Sequence, residues 1–267
     1  LKKGHGQTDP LIRSNPSENR NYTIPVLHVQ RSIVERWMLQ SGGPTLRDVE
    51  ADMNAQLKPN SHDINGHHIQ GEIQIQQNKS YLKNVIGYLP GTGNLANEVI
   101  IVGAHYDHLG MGQFGSLAPW TVAIHNGADD NASGTAGILE LAWRLLRRQS
   151  ENRRAILLIA FSGEEMGLLG SEYYCKNPLV PLDSTIAMVN LDMVGRLSTH
   201  GRVEVYGVDT AQEFRPSLSN FARSLSIQTE FHPDGYGPSD HATFHQLNIP
   251  VLHFFTGLHK DYHRPSD

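Results

Sequence analysis

A single cysteine, Cys175, occurs among 267 residues. One thiol excludes an internal disulfide, and without a Cys-x-x-Cys pair it excludes a thiolate zinc site, so Cys175 reads as a structural thiol in a Tyr-rich stretch. Basic residues are also scarce: 22 Lys and Arg stand against 27 Asp and Glu, a net charge of -5 with His neutral. No Lys/Arg run resembles an arm for a phosphate backbone, so nucleic acid is not an expected partner. Nor does any apolar run reach the roughly 18 residues of a membrane-spanning helix. The chain opens with neither Met nor a secretory leader, which reads as a processed or trimmed protein. What remains is a globular composition of 39% hydrophobic and 18% charged residues. It suits one large α/β domain, with or without a remnant of another.

Leu1 to Ile24 is rich in Asn, Ser, Pro and Gly and reads as loop. Pro25 to Val29 is a short strand-like run. Helical patterns follow at about residues 30 to 40 and, past Gly42-Gly43-Pro44, at Thr45 to Leu57, where Thr45 and Asp48 have capping-box spacing. Alternation through Ile69, Gly71, Ile73 and Ile75, then Val85 to Leu89, predicts two antiparallel strands joined near Asn78-Lys79-Ser80. The pattern then changes. Val99–Val102, Ala155–Ala160, Ile186–Val189 and Pro250–Phe254 are nearly continuous apolar runs, as expected of strands covered on both faces. Ile138, Leu139, Leu141, Ala142, Leu145 and Leu146 recur at helical spacing, as do Phe214, Leu218, Phe221, Ala222 and Leu225. Alternating strand and helix predict a three-layer α/β/α sandwich around a mostly parallel mixed sheet, with ligands gathered at the carboxyl ends of its strands.

Polar clusters stand just past those ends. Val99 to Val102 runs into His105-Tyr106-Asp107-His108, Ile156 to Phe161 into Glu164-Glu165, and Ile186 to Leu191 into Asp192; Asp129-Asp130 opens the first long helix. Each alone has a bland account: a packed histidine, an acidic helix start favoured by the macrodipole, a solvated turn, a strand-end carboxylate. Together they are harder to dismiss, because carboxylates on one rim repel and raise one another's pKa unless cations are present. Imidazole plus carboxylate suits zinc, and two ions about 3.5 to 4 Å apart need a bridging carboxylate.

Gly103 to Gly110, Asn126 to Gly134, Phe161 to Ser171, Asn190 to Gly195 and Tyr262 to Asp267 carry, in order, the motifs of a known family. Over about residues 81 to 267 the chain resembles the M28 zinc aminopeptidases. The resemblance implies two Zn²⁺ per chain: His105 and Asp192 on one, Glu165 and His263 on the other, with Asp129 bridging. It implies a cis bond between Asp129 and Asp130, and Asp107 as the carboxylate that orients His105. Glu164 then takes a proton from the water between the metals and returns it to the leaving amine, and Tyr262 either donates to the oxyanion or only packs. Asp240, in Ser239-Asp240-His241, reads as cleft lining or a helix cap. The Gly-rich loop 109 to 126, with Phe114 and Trp120, shapes a pocket or covers the core. His108, His125, His245, His253 and His259 have no motif role.

Residues 1–40 are expected to be the tail of a protease-associated domain, and 41–267 the catalytic domain, cut before the final helix that family members carry. The implied activity is removal of amino-terminal residues from peptides, with secretion or a periplasmic location as the family's usual setting. Alternatives on the same fold are a one-zinc glutaminyl cyclase, a carboxypeptidase and a metal-free, non-enzymatic relative.

Overall fold

The computed structural model describes residues 29–71, 80–112, 114–118, 120–148, 150–197 and 201–267. The strand expected over Pro25 to Val29 falls outside them except for its last residue, as do Leu1 to Ile24 and the hairpin segment from Ile73 to Lys79.

The chain divides into two compact units, Leu1–Lys79 and Ser80–Asp267. In the first, α1 (Arg31–Gln40) and α2 (Leu46–Gln56) stand where the helical periodicity placed them. Thr45 accepts from the Asp48 amide, and the Asp48 carboxylate accepts from the Thr45 amide, so the capping box is formed. This compact unit runs past residue 40. Ser41 Oγ donates to Asn65 O at 2.9 Å and Trp37 stands beside His67, so the Gly42-Gly43 break is a turn inside the unit.

In the second unit the apolar runs become strands: β1 (Val85–Leu89), β2 (Val99–His105), β3 (Ala155–Phe161), β4 (Thr185–Leu191), β5 (Arg202–Tyr206), β6 (Gln228–His232) and β7 (Val251–Phe255). Among the described residues they form one mixed sheet in the order β1-β3-β2-β4-β7-β5-β6. The centre, β3-β2-β4-β7, is parallel throughout. Among the described residues β1 pairs antiparallel with β3, from Val85↔Ala160 to Leu89↔Ile156, a pairing that the sequence did not predict. Alternation identifies a strand but carries no information about its neighbour.

Helices cover both faces. Ile101, Leu157, Ile159, Phe161, Met188 and Val251 pack with Tyr174 of α4 (Leu169–Lys176) and Phe244, which belongs to the short α6 (His241–His245). On the other face Val102 and Ala104 meet Ile138 and Leu141 of α3 (Gly134–Leu146), while Val205 and Leu252 meet Phe214 and Leu218 of α5 (Phe214–Leu225). The result is an α/β/α sandwich. Each fully buried Leu, Ile or Phe contributes roughly 1.5–3 kcal/mol, and those residues are concentrated on the parallel strands. Their carboxyl ends carry the polar clusters.

Candidate metal centre

His105 is the last residue of β2 and is 1% exposed. Asp192 follows β4, and its amide donates to Phe254 O of β7 at 3.2 Å, so the sheet itself holds it. After β3 the chain turns through Gly163, at φ 74, and presents Glu164 and Glu165. The loop into α3 starts at Gly127 with φ 61, where a Cβ would stand 2.7 Å from the His108 ring. His263 lies in the turns after β7, itself left-handed at φ 55, a conformation that an L-residue keeps only when its surroundings impose it.

These elements bring five side chains together. His105 Nε2 is 3.3 Å from Asp130 Oδ1 and 3.4 Å from Asp192 Oδ1. His263 Nε2 is 3.2 Å from Asp130 Oδ2 and 3.3 Å from Glu165 Oε2. Tetrahedral zinc with bonds of about 2.0–2.1 Å sets its donors about 3.3 Å apart, and all four separations match. Asp192 Oδ1 is buried and makes no hydrogen bond among the described residues, as expected of an oxygen kept for an ion rather than a proton. The donor set, two imidazoles and three carboxylates sharing Asp130, fits two divalent cations.

Asp129, the expected bridge, is not in this cluster. Its Oδ1 accepts from Gly195 N at 2.7 Å and its Oδ2 lies 3.3 Å from His259 Nε2. The backbone at Asp130 (φ -107, ψ 89) and Asn131 (φ -137, ψ 44) is non-helical, so adjacent carboxylates point to different sides of the loop. The cis bond is likewise one residue later than expected, between Asp130 and Asn131. Asn131 ties this loop to the end of β4: its Oδ1 accepts from Gly134 N and Met193 N, and its Nδ2 donates to Leu191 O.

Asp107 also acts differently from expectation. It is its backbone carbonyl, 3.1 Å from His105 Nδ1, that orients the ring and leaves Nε2 facing the cluster. The Asp107 carboxylate is 4.0 Å from that nitrogen and accepts instead from Glu164 N at 3.2 Å. It thereby holds the strand-end turn that carries Glu164.

Burial pulls the His105 pKa down, but Asp130 and Asp192 beside it drive it well above the ordinary imidazole value. Burial has the same sense for His263, and Asp130 and Glu165 raise it to about 10. Burial pushes the Glu165 carboxyl up, yet His108 and His263 bring it down to about 2. Two imidazolium protons thus compensate carboxylates that would otherwise repel, and a divalent ion can take over that task. Glu164 differs. Burial raises its pKa well above the carboxylate range, and the charges of Asp192, Asp240 and Glu165 add to this. Its Oε2 is 4.0 Å from His105 Nε2, at the cluster but outside the set of short separations.

A family model of peptidase family M28 matches residues 84–267. The chain belongs to this family. It is 31% identical over 175 residues to leupeptin-inactivating enzyme 1 of Streptomyces exfoliatus, covering 65% of this chain and 36% of that protein. It is 30% identical over 217 residues to aminopeptidase YwaD of Bacillus subtilis (strain 168), covering 74% of this chain and 44% of that one. The solved structure of BSAP, a zinc aminopeptidase from Bacillus subtilis, superposes with a TM-score of 0.54 at 30% identity, over 69% of this chain and 44% of that chain. The chain therefore spans less than half the length of these M28 relatives.

Two histidines without an assigned motif role stand at this M28 centre. His108 Nδ1 is 2.7 Å from Glu165 Oε1. His259 accepts from Asp261 N at Nδ1, which leaves its Nε2 toward Asp129 and Asp267. Asp267 Oδ2 in turn accepts from the amides of both Asp129 and Asp130, and its Oδ1 takes Arg196 Nη2 at 3.2 Å. The spacing His-x-Asp-His is the one signal that could have singled out His108; nothing local marks His259, which reaches Asp129 only through the fold.

Asp240 is fully buried, so it does not line a cleft, and at the N-terminus of α6 its side chain makes no cap bond. Ser239 beside it donates to Asp192 Oδ2 at 2.7 Å. Tyr262 stacks on His263 with ring centroids 3.8 Å apart, and burial together with Asp130 and Glu165 raises its hydroxyl pKa, keeping it a proton donor. Loop 109 to 126 is built around buried His125, whose Nδ1 donates to Ala123 O and whose Nε2 accepts from Ser116 Oγ. It is latched to His263 twice, through Gly115 O on Nδ1 and Leu117 N on the carbonyl. Phe114 and Trp120 of this loop are exposed rather than part of the core.

Proposed function

We propose that this chain is the catalytic domain of a zinc aminopeptidase that holds two Zn²⁺ and hydrolyses the first peptide bond of substrates with a free amino terminus. The observation that carries the reading is Asp130, with one oxygen toward His105 and Asp192 and the other toward His263 and Glu165. The names of the M28 relatives support zinc and the amino-terminal preference.

His105, Asp192, Asp130, Glu165 and His263 are the zinc ligands in this reading. When bound, the ions polarise the scissile carbonyl and lower the pKa of the attacking water. Glu164, delivered by the turn after β3 and held through its amide by Asp107, takes the proton of that water and passes it to the leaving amine. Such a base contributes typically 10² to 10⁴-fold. Tyr262 offers its hydroxyl to the oxyanion. Its stacking on His263 fixes the ring from which that hydroxyl reaches.

Glu164→Gln tests the assignment. The variant should retain the wild-type zinc content while hydrolysis of an aminoacyl-p-nitroanilide falls by about 10² to 10⁴-fold; undiminished turnover would remove Glu164 from the mechanism. With a dipeptide that has both ends free, acetylating the amino group should abolish cleavage by the wild type, whereas efficient cleavage of the N-acetyl dipeptide would favour a carboxypeptidase.

A further inference from the structure

The geometry points to His108 as a positioning residue of the metal centre: its Nδ1–H donates to Glu165 Oε1 and so commits Glu165 to bind its ion through Oε2 alone. This rests on the two-zinc reading above and adds a side chain to it. The distances separate a ligand from a donor. Glu165 Oε2 is 3.3 Å from His263 Nε2, the spacing of two donors on one tetrahedral ion. His108 Nδ1 is 2.7 Å from Glu165 Oε1, too close for two donors on one ion and right for a charge-assisted hydrogen bond. It is 4.0 Å from Asp130 Oδ2, out of bonding range of the bridge.

The ring is fixed in that role. Its edge meets the His263 ring, with centroids 5.7 Å apart at 74°. Its other side lies against Gly127, where any Cβ would stand 2.7 Å from the ring. His108 Nε2 is buried and has no hydrogen-bond partner among the described residues, so Nδ1 is the nitrogen through which the ring acts. A free carboxylate could rotate to bind through both oxygens or to pair with the His263 imidazole. With Oε1 occupied by His108 it keeps one orientation, with Oε2 toward His263.

Zinc-free wild type, His108→Ala and His108→Asn, titrated with zinc against a chromophoric chelator, test this without using activity. Wild type should saturate at two ions. His108→Ala should also reach two, with affinity at one site weaker by about 10 to 100-fold, as for other groups that orient a metal ligand, and the other site unchanged. His108→Asn, whose amide can donate to Oε1, should recover part of the loss; circular dichroism checks that both variants fold, and the Asn variant carries the test if the Ala variant does not. Unchanged affinities, an equal fall at both sites, or saturation at one ion would each overturn the assignment, the last by making His108 a ligand. Wild type that saturates below two would overturn the two-zinc reading itself, a result distinct from any difference between variants.

Discussion

The two halves of the metal centre are held by different means. His105 and Asp192 leave the ends of β2 and β4, neighbouring parallel strands, and Asp192 continues the ladder onto β7. Behind them Asn190 donates to His253, which stacks on His241. His263 and Glu165 have no strand of their own at the point where they act. His263 is positioned by the carbonyl of Gly115 and the amide of Leu117, and Glu165 by a turn and His108. A ligand on a packed sheet loses its place only if the core loosens, whereas a ligand clipped loop to loop loses it when a few exposed hydrogen bonds open. The inner pair should therefore bind the tighter ion, and Asp130 joins a stiff half to a softer one.

The largest break comes at the bridge. Asp130→Asn should cost both halves their ions, with zinc content falling below one per chain under conditions where wild type holds two, and activity lost with it. Asp129→Asn should keep both ions and instead lower stability by about 1–3 kcal/mol, because its buried contacts with His259 and Arg196 are weakened. Equal loss of zinc from the two variants would restore Asp129 as a bridge.

A middle-sized effect is expected behind the inner half. Burial depresses the His253 pKa to about 4, so folded protein keeps the ring neutral where the unfolded chain, at about 6.5, takes up a proton. Its contribution is full above pH about 6.5 and is lost as pH falls toward 4, a change on the order of 3 kcal/mol. Denaturant midpoints of zinc-free protein at pH 7 and pH 5 should show a steeper loss for wild type than for His253→Gln; parallel curves would mean that the ring is protonated in the fold.

The smallest effect belongs to the outer half. Timed chelation should release zinc in two phases, and Ser116→Ala, which removes the Ser116–His125 clip inside loop 109 to 126, should speed the fast phase several-fold, worth about 1 kcal/mol. A uniform release, or acceleration of the slow phase, would contradict the division between sheet-held and loop-held ligands.

Much of this arrangement was legible in the chain. The inner strands stand out because strands buried on both faces must be apolar at every position, and the residues just past them must then sit at one rim. His105, Glu164, Glu165 and Asp192 could be placed together on that ground, while His263 joined them through the M28 resemblance of its motif. The partner of β1 could not be found, since a strand's alternation is the same whichever neighbour it has. Nor could the order within Asp129-Asp130 be read, because two adjacent carboxylates have the same local chemistry.

The sequence by itself thus determined the sandwich, the rim and the residue types on it, for these follow from hydrophobic periodicity and from charge that must be compensated. Only the tertiary structure decided which of two neighbouring aspartates faces the cluster, that Asp107 orients His105 through its carbonyl, and that His108 and His259 belong to the site. Those choices depend on where the backbone turns at Asp130 and on hydrogen bonds across more than fifty residues of chain, from His108 to Glu165. Local pattern cannot encode such contacts.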